Sequence, residues 1–286
     1  MKQLSLTLLL FTFSVVLAFA FGPALDKREE SGILFFGDWG KGNQAQRDVA
    51  KGMKSFCDHN LCELGLTVGD NFYPDGVRSV DDKQWKTKFE DIYHPLKLIF
   101  RPTLGNHDYG GNIQAQIEYS KKMKNWWMPD RYYAFQHENI DFFAIDTENF
   151  DPEQRKWLEK AIEASQAKWK VVYGHHPIYS GGQHGDTKYL IRDLLPIIQG
   201  KISFYLCGHD HDLQVILKDN MRYVVSGTAA EIRSVKKGEH AVFAESRLGF
   251  SHLLFGENSA LLRMLDKDGN MIFEQSFSAD DISQQQ

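Results

Sequence analysis

Five times along this chain a short apolar run ends in glycine followed at once by a side chain able to bind a metal ion. The clusters are Gly37-Asp38-Trp39-Gly40, Gly69-Asp70-Asn71-Phe72-Tyr73, Gly105-Asn106-His107-Asp108, Gly174-His175-His176-Pro177 and Gly208-His209-Asp210-His211. Any one of them alone reads as a turn, or as a structural histidine after a strand. Together they constrain the fold. A short apolar run bounded by glycine is a buried strand, and loops at the carboxyl ends of strands are where α/β folds place ligands. Glycine at each junction lets backbone and ligand approach closely. In Gly208-His209-Asp210-His211 the two histidines are two residues apart, so on extended chain they point the same way.

Between the clusters, short apolar runs alternate with amphipathic ones. Ile33 to Phe36, Leu64 to Val68, Trp169 to Tyr173 and Ser203 to Leu206 are predicted strands, and a further strand leads into Gly105. Tyr132 to Phe135 and Ile140 to Ile145 suggest neighbouring strands, and Leu261 to Phe277 a hairpin around Asp266-Lys267-Asp268-Gly269. Val49, Met53, Phe56 and Cys57 fall at helical spacing, as do Trp85, Phe89 and Ile92 within residues 82–94. Asp151-Pro152 supplies an N-cap and first turn for a helix carrying Trp157, Leu158, Ala161 and Ile162. Residues 187–199 read as a helix shortened or kinked at Pro196. Such alternation predicts an α/β fold with helices covering sheets.

The N-terminus departs from this pattern. Lys2 precedes the apolar run Leu4 to Ala20, which ends in Ala18-Phe19-Ala20. Residues 1–20 therefore read as a signal peptide, with an uncleaved anchor as the alternative. Residues 21–31 read as a lead-in, 32–280 as one folded domain and 281–286 as a flexible tail. The expected location is secreted or periplasmic, with no stable membrane association after cleavage. The net charge of −5 offers no bulk attraction to nucleic acid. Export makes a Cys57–Cys62 disulfide plausible, with two buried thiols as the other reading; Cys207 reads as core.

Asp oxygen and His nitrogen suit iron, manganese and zinc, and a phenolate favours a hard trivalent ion. Two such ions can clamp a phosphate between them. The order Asp-x-Gly, Gly-Asp-x-x-Tyr, Gly-Asn-His-Asp, Gly-His and Gly-His-x-His resembles the metallophosphoesterases. More closely, it is similar to the small purple acid phosphatases of the tartrate-resistant type. Many metallophosphoesterases carry Asp-x-His in the first motif; here Gly40 takes that place, and Tyr73 supplies a ligand those relatives lack. The resemblance runs over about residues 32–277, with Trp126-Trp127-Met128-Pro129 and His184-Gly185 as supporting segments.

The resemblance implies the calcineurin-like fold, two packed mixed β-sheets flanked by helices in an αββα sandwich. It also implies an acid phosphatase hydrolysing small phosphomonoesters by in-line attack of a metal-bound hydroxide. Asp38, Tyr73 and His211 would bind Fe(III), and Asn106, His175 and His209 a divalent iron, zinc or manganese, with Asp70 bridging. His107 and His184 would contact the phosphate or assist the leaving group. His176 replaces a frequent aromatic and is read as packing. Asp108, Asp210 and Asp212 are read as orienting the loops. A phosphodiesterase or nucleotidase of the same fold is the nearest alternative, and a non-hydrolytic iron-binding or redox protein the alternative from another class.

Overall fold

A computed structural model describes residues 30–279. The apolar leader at 1–20, nearly all of the lead-in and the tail at 281–286 lie outside the described residues. In chain order the strands are β1 (Ser31–Phe36), β2 (Leu64–Val68), β3 (Ile99–Thr103), β4 (Tyr133–His137), β5 (Ile140–Ala144), β6 (Trp169–Tyr173), β7 (Phe204–Cys207), β8 (Leu213–Lys218), β9 (Met221–Ser226), β10 (Ala241–Glu245), β11 (Gly249–Phe255), β12 (Ser259–Asp266) and β13 (Met271–Ser278). They form a six-stranded sheet ordered β13-β12-β11-β1-β2-β3 and a seven-stranded sheet ordered β10-β8-β9-β7-β6-β5-β4. Both are mixed. β1, β2 and β3 run parallel, as do β5, β6, β7 and β9, and the remaining pairs are antiparallel. This is the two-sheet α/β architecture expected from the sequence.

The alternation of side chains along a strand divides the core. Phe142, Val171, Phe204 and Val224 of the seven-stranded sheet join the larger apolar cluster, which continues through the six-stranded sheet to Val49, Met53 and Phe56 of the helix Gln44–Cys57. Their neighbours Phe143, Val172, Tyr205 and Tyr223 face the other way. There they pack with Leu158 and Ile162 of helix Pro152–Ala164 and with Leu190 and Ile198 of helices Lys188–Asp193 and Leu195–Ile198. Each fully buried apolar side chain contributes about 1.5–3 kcal/mol.

Local signals behave as their chemistry requires. Asp151 Oδ1 accepts from Gln154 N–H at 2.8 Å and caps helix Pro152–Ala164. The 187–199 segment breaks at Leu194, just before Pro196. Trp85, Phe89 and Ile92 are buried as expected, but the segment winds as a π-helix over Trp85–Glu90, then as short α and 3₁₀ turns to Leu96. Two elements fall within stretches that read from the sequence as loops, 108–131 and 228–250. Helix Ile113–Lys122 is capped by Asn112 and buries the polar Gln116 together with Ala115 and Tyr119, which blurs its apolar stripe. Strand β10 lies within 228–250. Cys57 and Cys62 are joined in a disulfide with Cα atoms 5.6 Å apart, between the first helix and β2. Cys207 is buried and unbridged.

Candidate metal centre

The parallel strands of both sheets end at one place. β1, β2 and β3 deliver Asp38, Asp70 and Asn106; β6 and β7 deliver His175, His209 and His211. Gly37 N–H donates to Ser226 O (2.7 Å), joining the two sheets there, and within the second sheet Gly208 N–H donates to His175 O (2.9 Å). Asp38, Asp70 and His209 all hold positive φ, at 59°, 51° and 68°. For a residue with a Cβ this costs on the order of 1–3 kcal/mol each, and the strain sits at side chains that face one another. The glycines make room for them. A Cβ on Gly105 would lie 2.2 Å from Asp70 Oδ1, and one on Gly208 would lie 2.4 Å from Asp38 Oδ2.

The converging donor atoms fall into two groups. In the first, Tyr73 Oη donates to Asp70 Oδ2 at 2.8 Å and lies 3.2 Å from both Asp38 Oδ1 and His211 Nε2. His211 Nε2 is 3.4 Å from Asp38 Oδ1. In the second, His175 Nε2 lies 3.2 Å from Asn106 Oδ1, 3.1 Å from His209 Nδ1 and 3.5 Å from Asp70 Oδ1. The two oxygens of Asp70 are thus divided between the groups. Ligands about 2.0–2.2 Å from a shared ion stand roughly 3 Å apart, so each group has the spacing of a coordination shell. Asp38, Asp70 and His175 alone already form a compact buried trio able to hold a cation.

The ring nitrogens are turned to match. His175 Nδ1 lies 2.9 Å from Val68 O, so it carries the proton and leaves Nε2 as a lone pair facing the second group. His211 Nδ1 is 2.9 Å from Glu231 Oε2, with Nε2 facing the first group. Burial and the neighbouring histidines His175, His176, His184 and His211 push His209 far down, toward the neutral form a metal requires. For His175, burial pulls downward, but Asp70 and Asp38 outweigh it and the net shift is upward. Burial, then Asp38 and Asp70, raise the Tyr73 phenol far above its ordinary value. A bound cation is the charge that would reverse that order and draw out a phenolate. The charged neighbours of Asp38 and Asp70 within ion-pair distance are histidines. Two buried carboxylates with no lysine or arginine within ion-pair distance among the described residues fit a metal pair.

Asp108 is fully buried and pins two of the loops. It accepts from Asn71 N–H, Phe72 N–H, Gly105 N–H and Gln116 Nε2. Burial and Asp70 push its own carboxyl upward. Asp210 accepts from His184 N–H at 2.9 Å and from Ser180 Oγ; Asp212 accepts from Gln214 Nε2 at 2.6 Å. These contacts match the loop-orienting role read for them. The His176 ring lies 4.4 Å from that of His209, tilted by 50°, and bonds Thr147 Oγ1 at 2.8 Å; burial and the neighbouring His175 and His184 hold it down to about 3. It is packed and neutral.

His107 stands beside Tyr73 and Asp70, and His184 beside His209. His107 N–H donates to Asp70 Oδ1 at 2.9 Å, its Nδ1 lies 2.6 Å from Pro74 O, and its ring is 4.3 Å from that of Tyr73. Its Nε2 is 3.9 Å from Asp70 Oδ2. The His184 ring lies 4.1 Å from that of His209, and its Nε2 accepts from Arg233 Nη1 at 2.9 Å. Lys41, Glu231 and Arg233, which no sequence motif marks, lie beside Tyr73, His211 and His184 respectively. Lys41 Nζ is 2.6 Å from Glu231 Oε2 and 4.7 Å from the Tyr73 ring centre. The only signal was a pair of charges in a loop far along the chain, and the tertiary fold brings them here.

Known proteins resemble this chain over most of its length. Residues 32–213 match the family model described as calcineurin-like phosphoesterase. Purple acid phosphatase 7 of Arabidopsis thaliana is 32% identical, with 88% of this chain and 88% of that protein covered. Tartrate-resistant acid phosphatase type 5 of Rattus norvegicus is 31% identical, covering 84% of this chain and 88% of the relative. Among solved structures, GAP50, the anchor in the inner membrane complex of Plasmodium, superposes with a TM-score of 0.79 at 25% identity over 87% of this chain and 89% of that one.

Proposed function

Because the chain belongs to the calcineurin-like phosphoesterase family and its relatives are purple acid phosphatases, we propose that it is a dinuclear-metal acid phosphatase acting on small phosphomonoesters. The observation that carries this reading is the division of the two Asp70 oxygens between two complete donor groups. Asp38, Tyr73 and His211 would hold trivalent iron; Asn106, His175 and His209 would hold divalent iron, zinc or manganese; Asp70 would serve both. When bound, such a pair neutralises phosphate charge and acidifies water. The chain's own residues do the rest. The fixed loops keep the donors in place, so little reorganisation is needed during reaction.

His107 and His184 divide the work at the leaving group. His107 uses Nδ1 on Pro74 O, and its Nε2 faces the centre, where it can carry the proton for the departing oxygen. His184 has its Nε2 lone pair engaged by Arg233, so it positions the substrate. His107→Ala should lower turnover by about 10²–10⁴-fold, and more for alkyl than for activated aryl phosphates, with metal content retained. His184→Ala should lower both classes alike. Equal losses for alkyl and aryl esters in the His107 variant would rule out proton donation by that residue.

We propose export as well, on the apolar run Leu4 to Ala20 and Ala18-Phe19-Ala20. Intact mass of the exported protein should show a chain beginning at Phe21. A mature form retaining Met1 would show an anchor instead.

A further inference from the structure

We infer that Arg233 selects substrates whose leaving group carries a second anionic group, a carboxylate or a phosphate. The inference rests on the phosphomonoesterase reading above. Arg233 N–H donates to His211 O at 2.8 Å, and Ser246 Oγ donates to Arg233 O at 2.7 Å, so the residue is anchored at the edge of the centre by its backbone. Its side chain is 33% exposed. Nη1 donates to His184 Nε2, while Nη2 lies 3.8 Å from Glu231 Oε2.

That Glu231 oxygen is shared. Lys41 Nζ bonds it at 2.6 Å and His211 Nδ1 lies 2.9 Å away, leaving Arg233 the longest of the three contacts. Two permanent cations meet one carboxylate, so Lys41, Arg233 and Glu231 together keep one positive charge. A guanidinium offers five N–H donors in a planar fork. One is used on His184 and none is held closely by Glu231, so the fork remains open to an anion. A phosphoryl group over the Asp70 oxygens must direct the rest of its ester outward past His107 or His184. On the His184 side it meets Arg233. The fork matches carboxylate and phosphate oxygens two at a time, which lysine does not. Partial exposure screens the attraction, so an effect of about tenfold to a hundredfold is the scale of one charge-assisted hydrogen bond.

Binding separates this inference from hydrolysis. Phosphonopropionate, propylene bisphosphonate and propylphosphonate present one phosphonate with a carboxylate, phosphonate or neutral tail, and none can be hydrolysed as an ester. Calorimetry on the metal-loaded full chain should show the two anionic-tailed probes binding at least about tenfold tighter than propylphosphonate. Arg233→Ala and Arg233→Gln should collapse that ratio, and Arg233→Lys should restore part of it. The kcat/KM ratio of phosphoglycerate to glycerol phosphate should fall in parallel. Equal affinities in the wild type would overturn the inference. So would a preference that survives both neutral variants while they stay folded with full metal content. A wild type that shows the binding preference but hydrolyses no ester would defeat the phosphatase reading and leave Arg233 as an anion-recognition residue. Hydrolysis without the preference would defeat only the inference.

Discussion

Tyr73 Oη stands among Asp38 Oδ1, Asp70 Oδ2 and His211 Nε2, buried and pressed toward its neutral form by two carboxylates. A phenol so placed is a poor site for its own negative charge until a cation arrives. Iron-loaded, oxidised protein should therefore absorb visible light by charge transfer from the Tyr73 phenolate, and Tyr73→Phe should lose the band while retaining metal. A variant that keeps the same band would remove Tyr73 from the coordination shell. At this scale the residues that follow strand ends were legible, because Asp38, Asp70, Asn106, His175 and His209 each come directly after a glycine at such an end. Glu231 and Arg233 were not. Nothing local marks them, and only the contacts with Lys41, His211 and His184 bring them to the site.

Most strands were readable as elements because they are short, apolar and bounded by glycine; β2 and β6 coincide with their expected limits. Helix Ile113–Lys122 escaped because its buried face includes Gln116, which is there to bond Asp108. Strand β11 illustrates another buried polar choice. His252 pairs with Leu34 and Arg263, its Nε2 donates to Leu61 O at 2.9 Å, and its Nδ1 is buried without a partner. Burial is the main reason that this histidine is held down to about 4 from its ordinary 6.5. The folded state resists a proton that the unfolded chain accepts. The stability His252 confers is thus complete above pH 6.5 and is lost as pH falls from there toward 4, by about 3 kcal/mol at most. Urea unfolding of wild type and His252→Gln across this range should show the difference between them changing by up to that amount, with the wild type losing more on acidification. Parallel pH dependences would contradict the assignment.

Across the whole molecule, two mixed sheets bring the ends of β1, β2 and β3 against those of β6 and β7, and a backbone bond from Gly37 to Ser226 ties one sheet to the other beside the centre. The sequence carried the strand-to-loop order but not the pairing of sheets, since which strand ends meet is settled by long-range packing of faces such as Phe142, Val171 and Phe204. The site exists only where both halves are assembled: Asp38, Asp70, Tyr73 and Asn106 come from one sheet, and His175, His209 and His211 from the other. The direct test is elemental analysis of protein folded in metal-replete medium, wild type beside Asp70→Ala. About two metal ions per chain are expected in the wild type, and clearly fewer in the variant, because Asp70 presents one oxygen to each donor group. One ion or none in the wild type, or two retained after Asp70→Ala, would contradict a dinuclear centre bridged by Asp70.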